Sequence, residues 1–191
     1  DGRRRLDRRG AVVSWSSTVS GLSPTSWWKL SETSSTFADS GSANKPGTAG
    51  SGITRGVAGL GGELTAGVSF AGTANDYIDF GDNDDLNGGS YSILAAIKFD
   101  GTNNTNYRRI VSKMAASDGF EVGLFKSADT PSNGIYFDHK VSGTNKEASS
   151  AALSNNTPYL VVCVYDTSAD TMKIYVNGSQ SGSTLTSVTS D

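Results

Sequence analysis

Apolar and polar residues alternate in several short segments of the chain, and turn residues separate these segments. In residues 91–99 the apolar side chains occupy every second position and therefore share one face of an extended strand. Residues 119–124, 135–137 and 171–176 repeat this alternation on a shorter scale. No segment keeps a 3.6-residue apolar period over three turns. The pattern predicts an all-β antiparallel sandwich or barrel.

One segment is apolar on both faces. Residues 159–165 carry an apolar side chain at every position, which is typical of a central strand covered by a second sheet. Cys163, the only cysteine, lies within this run, and we predict a buried small hydrophobe rather than a reactive thiol. Further along, Asn177 and Gly178 form the dipeptide that favours a type I′ hairpin turn.

The front of the chain lacks this regular alternation. Residues 41–62 are rich in glycine and hold few apolar anchors, which predicts long loops over the surface. Residues 11–19 are compatible with a strand, although no obvious pairing partner lies nearby. The first third of the chain is therefore expected to contain less regular structure than the rest.

Composition supports the fold class and divides the chain by charge. The 191 residues include 23 glycines and 4 prolines, and only 18% are charged. Residues 1–9 carry five arginines and two aspartates, hence +3, so the total of −3 leaves −6 on residues 10–191. The length suffices to bury a core without disulfide or metal. No apolar run reaches the roughly 18 residues of a membrane span, so no membrane insertion is expected.

Several short motifs follow one another in order from about residue 27 onward. They are Trp28-Lys-Leu30, Asp39-Ser-Gly41, Gly56-Val-Ala-Gly59, Val68-Ser-Phe-Ala-Gly72, Asp76-Tyr-Ile-Asp-Phe80, Tyr91-Ser-Ile93, Ile110-Val-Ser-Lys113, Gly119-Phe-Glu-Val122, Tyr165-Asp166 and Met172-Lys-Ile-Tyr-Val-Asn-Gly178. Their order and spacing resemble the laminin-G-like, or concanavalin A-like lectin/glucanase, superfamily in its microbial and phage form. The resemblance implies an antiparallel two-sheet jelly-roll sandwich over residues 23–191, preceded by an extended N-terminal arm over residues 1–22.

Two departures from the family pattern affect this expectation. Pro158 and Tyr159 stand where family members usually have a tryptophan. Members also continue past the Asn-Gly hairpin to a closing strand, whereas this sequence stops at Asp191. We therefore expect a sandwich that lacks its last strand and leaves a sheet edge unpaired. A further C-terminal part, the segment near residues 12–19 or a neighbouring subunit can supply the missing pairing.

The superfamily includes glycosidases, whose chemistry requires two carboxyl groups about 5 to 10 Å apart. In the glucanase members these acids are glutamates close together on one strand, flanking an aspartate. The glutamates of this chain are distant from one another in sequence, and no Glu-x-Asp pattern occurs. We therefore expect no enzymatic activity and assign no catalytic residue. The glutamates are Glu32, Glu63, Glu121 and Glu147.

A polar turn provides a candidate calcium site. Calcium takes six to eight oxygen ligands and favours clustered carboxylates in loops. The competing interpretation is a solvated turn without metal, so calcium is a candidate and no cofactor is required. The candidate ligands are Asp79, Asp82, Asp84 and Asp85.

Aromatic rings at the surface can stack on the faces of sugars. Trp27, Tyr107 and Tyr136 are therefore candidate ligand-binding residues, because the family pattern assigns Trp28 to the sheet. Packing within the domain is the competing interpretation for each ring.

The basic start of the chain is a candidate docking arm, and an ordinary solvated tail is the competing interpretation. Basic residues elsewhere are scattered, which argues against a nucleic-acid partner. The expected function is a non-enzymatic structural or adhesion module on a larger assembly, either a virion, as a phage capsid decoration or fibre, or an extracellular surface protein. Its expected partners are other protein subunits, including further copies of this chain. The candidate docking residues are Arg3, Arg4, Arg5, Arg8, Arg9 and Trp15.

Two other functions remain open at this point. The first is a glycan-binding lectin domain of a secreted microbial protein, with or without calcium dependence. The second is a glycoside hydrolase. Fold alone does not decide among these functions, because unrelated activities share the same architecture.

Overall fold

The computed structural model describes residues 14–81, 89–101 and 105–189. Within these ranges the structure is almost entirely β, as the alternation predicts, and the one described helix is too short to cross a membrane. The elements are α1 (Trp15–Gly21), β1 (Thr36–Phe37), β2 (Gly47–Ala49), β3 (Thr54–Gly61), β4 (Leu64–Ser69), β5 (Ile78–Asp79), β6 (Tyr91–Ile97), β7 (Arg108–Met114), β8 (Gly119–Leu124), β9 (Ile135–Val141), β10 (Thr144–Ser149), β11 (Tyr159–Asp166), β12 (Thr171–Val176), β13 (Ser179–Gln180) and β14 (Leu185–Thr186).

The described residues form two compact units, of which the first comprises residues 14–81. It contains α1, a three-stranded antiparallel sheet in the order β1-β2-β5, and a separate β3–β4 hairpin. The prediction of long loops over residues 41–62 is wrong, because β2 and β3 lie in this stretch. Glycine has no apolar side chain, so its strands leave no alternating pattern in the sequence. Its small size also allows the strands to approach each other, because a Cβ at Gly59 would overlap the backbone of Leu64 on the neighbouring strand.

The segment considered for a strand at residues 11–19 is helical from Trp15 onward. Ser14 caps the helix, and its side chain accepts a hydrogen bond from the backbone N–H of Ser17 at 2.9 Å. Val19 is buried, whereas most of the other helical residues are exposed. A capping serine followed by only two turns explains why apolar periodicity does not reveal this helix.

The second unit, residues 89–189 without 102–104, is an antiparallel sandwich of two sheets. One sheet has the order β10-β9-β8-β7, and the other has the order β13-β12-β11-β6 with β14 also paired to β12. β11 lies between β12 and β6, which confirms it as a central strand. The hairpin after β12 is confirmed as well, since both Asn177 (φ 50°) and Gly178 (φ 83°) have the positive φ of a type I′ turn.

The hydrophobic core of the second unit contains residues from both sheets, so the sheets pack face to face. The alternation in β6 is confirmed, because its odd-numbered residues turn inward and its even-numbered residues are exposed. Cys163 is fully buried, and burial raises the pKa of its thiol to about 12, which confirms a small core hydrophobe. The buried core residues are Phe99, Phe120, Val122, Leu124, Ile135, Phe137, Ala148, Val161, Cys163, Tyr165, Met172, Ile174 and Val188.

The only histidine of the chain lies against this core. His139 on β9 has its Nδ1 atom 2.9 Å from the Tyr91 hydroxyl, and its ring stacks on Tyr165 with centroids 3.9 Å apart. Burial lowers the pKa of His139, and the charge of Asp118 opposes this shift only in part. The folded chain therefore resists protonation of a residue that the unfolded chain protonates readily.

Lowering the pH from about 7.5 to about 5.5 should thus favour unfolding through His139. The unfolded chain takes up a proton at the ordinary histidine pKa while the folded chain does not, so the free energy of unfolding falls. Asp138 and Glu147 have raised pKa values and act in the opposite direction, so the informative quantity is the difference between two proteins. Urea unfolding should show that His139→Gln loses less stability over this interval than the wild type. Equal losses would contradict the assignment.

Candidate functional site

The four-stranded sheet presents a polar face on the side opposite its core residues. Ser112 of β7 lies opposite Glu121 of β8, Glu121 lies opposite Asp138 of β9, and Asp138 lies opposite Glu147 of β10. Side chains at directly opposite positions are about 4.5–5.5 Å apart at Cβ. The three carboxyl groups therefore form a continuous row across three strands, which we call the acidic row (Glu121, Asp138 and Glu147).

Glu121 is the most strongly held member of the acidic row. Its Oε2 atom accepts hydrogen bonds from Arg109 Nε at 2.6 Å and Ser112 Oγ at 2.8 Å, and its Oε1 atom accepts one from the Tyr136 hydroxyl at 2.7 Å. The residue is 8% exposed. Burial by itself raises the pKa of Glu121, but the three donors outweigh it and hold the pKa below its ordinary value. Glu121 is thus a fixed, ionised carboxylate.

The other two members of the row behave in the opposite way. Loss of hydration raises the pKa of Asp138 and of Glu147, and their proximity to other carboxylates contributes further. Asp138 and Glu147 lie directly opposite each other on β9 and β10. The Oδ1 atom of Asp138 is buried and has no hydrogen-bond partner among the described residues. The row therefore combines an ionised carboxylate with two carboxyl groups whose pKa values are raised.

The acidic row brings together two of the glutamates that are distant from one another in sequence. Glu121 and Glu147 flank Asp138, although 26 positions of the sequence separate them. The alternation of residues 119–124 places Glu121 on the polar side of its strand, whereas Asp138 and Glu147 lie outside the segments in which alternation predicts a strand. What places them side by side is the pairing register of three strands, which the alternation leaves undetermined.

Aromatic side chains border the polar face. Tyr107 is 46% exposed and meets the Tyr136 ring edge-on at a centroid distance of 5.4 Å. Lys126 Nζ lies 5.2 Å from the centroid of the Tyr107 ring, and the same amine forms an ion pair of 3.8 Å with Asp129. A half-exposed ring with a cation beside it thus lies next to Tyr136, the residue that anchors Glu121.

The prediction that Tyr136 is a surface ring is wrong. Tyr136 is 2% exposed, and its hydroxyl is committed to Glu121. Gly123 on the neighbouring strand makes this possible, because a Cβ at that position would lie 2.5 Å from the Tyr136 hydroxyl. Tyr107 remains as the exposed candidate on this face.

The remaining candidates lie in the first unit or outside the described residues. Trp27 is partly buried, and Lys29 Nζ lies 4.7 Å from the centroid of its ring. The backbone N–H of Trp27 donates a hydrogen bond to Asp39 Oδ1 at 2.6 Å. Trp15 is the first residue of α1 and is partly buried. The candidates without structural description are Asp82, Asp84, Asp85, Arg3, Arg4, Arg5, Arg8 and Arg9.

The calcium site remains a prediction. Of its four candidate ligands the structure describes Asp79, whose Oδ1 atom accepts the N–H of Gly81 at 2.8 Å as in an ordinary turn. Across the part of the chain that the structure describes, no three histidine, cysteine or acidic residues are arranged to hold a metal ion. The acidic row is therefore better suited to hydrogen bonding than to metal binding.

These features agree with the comparisons to known proteins. A laminin-G-type family model, described as the concanavalin A-like lectin/glucanases superfamily, matches residues 71–191. The match covers more than half of the chain, and the chain belongs to this superfamily, as its motifs indicate. The defined class is thus a jelly-roll sandwich of the lectin and glucanase type.

One solved structure is similar in fold. The crystal structure of the binding domain of Paraclostridial Mosquitocidal Protein 1 aligns with a TM-score of 0.63 at 13% sequence identity. The alignment covers 86% of this chain and 41% of that one, so the chain spans less than half of the structure it matches. A search of curated proteins found no match. This likeness establishes the fold.

Proposed function

We propose that the chain is a non-enzymatic adhesion module that binds a polyhydroxylated ligand, a glycan, on the polar face of its four-stranded sheet. The observation that carries this proposal is the half-exposed Tyr107 beside the hydrogen-bonded pair of Tyr136 and Glu121. A ring of this kind offers its face to the apolar side of a sugar, and carboxyl groups nearby accept hydrogen bonds from hydroxyls.

The same geometry argues for binding rather than hydrolysis. A glycosidase needs one carboxyl group as acid and another as nucleophile or base, both within reach of the substrate. Here the ionised carboxylate, Glu121, is occupied by three donors and is 8% exposed. The superfamily contains glycosidases, so the hydrolase remains the alternative that a product assay decides.

We further propose that the module is displayed on a larger assembly, on a virion or an extracellular surface, and docks there through residues 1–22. The charge division supports this step, since residues 1–9 carry +3 and the rest carries −6. The fold shared with the binding domain of a mosquitocidal protein agrees with a recognition role. Deleting residues 1–13, which hold the basic residues and precede α1, should release the domain from its assembly without unfolding it, whereas retained attachment would contradict docking by the basic segment.

A calcium-dependent lectin is the second candidate function, and the clustered aspartates at residues 79–85 favour it. In that case the ligand binds near that turn, through the metal. Chelation of calcium distinguishes the two candidates. It should abolish glycan binding by a calcium-dependent lectin and leave glycan binding on the polar face of the four-stranded sheet intact.

Replacing Tyr107 with alanine should weaken glycan binding about tenfold or more, since the stacking surface is lost. A glycan array probed with and without a calcium chelator measures this, and a mass-spectrometric check of the bound glycans detects hydrolysis. Tyr77→Ala is the matched control, because Tyr77 is a similarly exposed tyrosine in the first unit. Equal binding by wild type and Tyr107→Ala would exclude the proposed face.

A further inference from the structure

A groove of about 420 Å³ lies beside β10, the outer strand of the four-stranded sheet. One wall comprises residues 147–151, which are the end of β10 and the residues after it, and the other comprises residues 182–185, which lead from β13 into β14. Gly182 allows the walls to meet, because its φ is 82° and a Cβ there would overlap the carbonyl oxygen of Ser149. The two sheets of the second unit thus contribute one wall each.

Hydrogen bonds within the chain hold these walls in place. Ser181 Oγ accepts the backbone N–H of Ala151 at 3.1 Å and joins the start of one wall to the end of the other. Beyond Leu185 the chain follows β12 towards its start, where Val188 donates its backbone N–H to Asp170 Oδ1 at 2.8 Å. None of the described residues 186–189 lines the groove. The groove is therefore a built feature of the sandwich, and the chain leading out of β14 does not run through it.

The groove is continuous with the polar face of the sheet. Glu147 belongs to the acidic row and also lines the groove. Ser149 lies two positions further along β10, hence on the same face, and it lines the groove as well. Ser149 lies directly opposite Tyr136, which meets the Tyr107 ring at a centroid distance of 5.4 Å. A ligand that stacks on Tyr107 can therefore continue over β10 into the groove.

The residues that line the groove indicate what kind of ligand it accepts. Ser149, Ser183 and Thr184 carry hydroxyl groups, which both donate and accept hydrogen bonds. Glu147 is the one ionisable residue of the lining, so no cation there can neutralise an acidic ligand. Leu185 adds apolar surface for the C–H groups of a sugar. This combination suits hydroxyl groups and disfavours carboxylates, sulfates and phosphates.

We propose that the groove is a second subsite for the same ligand, which is an extended oligosaccharide without acidic groups. This step rests on the proposed glycan binding at Tyr107. A sugar unit of an extended chain is about as long as the spacing between strands, roughly 4.8 Å. Tyr136 and Ser149 lie on adjacent strands, so about three sugars reach from Tyr107 to the groove. A single sugar can occupy the ring of Tyr107 and cannot reach the groove at the same time.

Isothermal titration calorimetry of the full chain with glycan fragments of graded size tests this proposal. The probes are the monosaccharide, the trisaccharide and the hexasaccharide of the neutral glycan that binds most tightly on the array. Wild type should bind the hexasaccharide about tenfold or more tightly than the monosaccharide, because the second subsite acts at a high effective concentration. A hexasaccharide of the corresponding uronic acid should lose this gain, because no cation lines the groove.

Ser183→Leu fills the groove from an exposed position of its lining. This variant should bind the hexasaccharide about tenfold or more weakly than wild type and the monosaccharide within about twofold of wild type. Ser183→Ala leaves the groove open and should weaken hexasaccharide binding by at most about threefold. Thr186→Leu is the matched control, because Thr186 is exposed on β14 and lies outside the lining. Urea unfolding verifies that all variants are folded.

The outcomes separate this proposal from the one on which it rests. A wild-type affinity that does not rise from the monosaccharide to the hexasaccharide would overturn the second subsite and leave binding at Tyr107 standing. Hexasaccharide binding that Ser183→Leu does not weaken would overturn it too, and so would a uronic acid hexasaccharide that keeps the full gain. The absence of binding to every fragment would contradict the proposed function itself, and with it the second subsite.

Discussion

Replacing Phe137 with alanine is expected to lower the free energy of unfolding by about 3–5 kcal/mol, the range measured when a buried aromatic ring is deleted. Phe137 lies in β9 with 0% exposure, and its ring packs edge-on against Tyr91 at a centroid distance of 6.1 Å. Both sheets contribute to the surrounding core cluster. The cavity left by the substitution therefore opens at the contact that holds the sandwich together.

Urea unfolding monitored by circular dichroism measures this loss, with Met114→Ala as the control on the same sheet. Met114 is exposed on β7, so its truncation should cost less than about 1 kcal/mol. A small effect of Phe137→Ala, comparable to that of Met114→Ala, would mean that the two sheets do not pack around Phe137.

Replacing Glu121 with alanine is expected to cost about 2–4 kcal/mol, because three charge-assisted hydrogen bonds are lost and a buried hydroxyl is left without an acceptor. The orphaned group belongs to Tyr136, which is 2% exposed, whereas Arg109 is exposed and regains water. The cost should be present at neutral pH and should shrink as the pH falls through the lowered pKa of Glu121, since protonation weakens the same bonds in the wild type.

The double variant Glu121→Ala with Tyr136→Phe separates the two causes. Removing the Tyr136 hydroxyl eliminates the unsatisfied donor, so the double variant should be more stable than Glu121→Ala alone. Equilibrium unfolding of the wild type, both single variants and the double variant provides the comparison. If the double variant is as unstable as Glu121→Ala, the buried hydroxyl is not the source of the loss.

The part of the fold that could be predicted from the sequence is the part where side chains report on burial directly. The alternation of residues 91–99 identifies β6 and its inner face, and the apolar run at 159–165 identifies a central strand. Asn177 and Gly178 identify a hairpin because only a few residue types tolerate positive φ. In each case a local physical rule decides the local structure.

The parts that could not be predicted depend on distant partners. β3 is hidden because its glycines carry no apolar side chain, although their small size is what permits the approach of β4. The acidic row depends on the register of β8, β9 and β10, and Tyr136 is buried because Gly123 on the adjacent strand leaves room for its ring. Alternation with a period of two specifies on which face of the sheet a side chain lies. It does not specify which residue of the adjacent strand lies opposite that side chain.

The central claim is that a glycan binds on the polar face of the four-stranded sheet. Its most direct test is an NMR titration of the isotope-labelled full chain with the glycan that the array selects. The account predicts that the largest amide shift changes cluster at Tyr107, Glu121, Asp138 and Glu147. Shift changes centred elsewhere, or the absence of binding to every arrayed glycan with or without calcium, would contradict it.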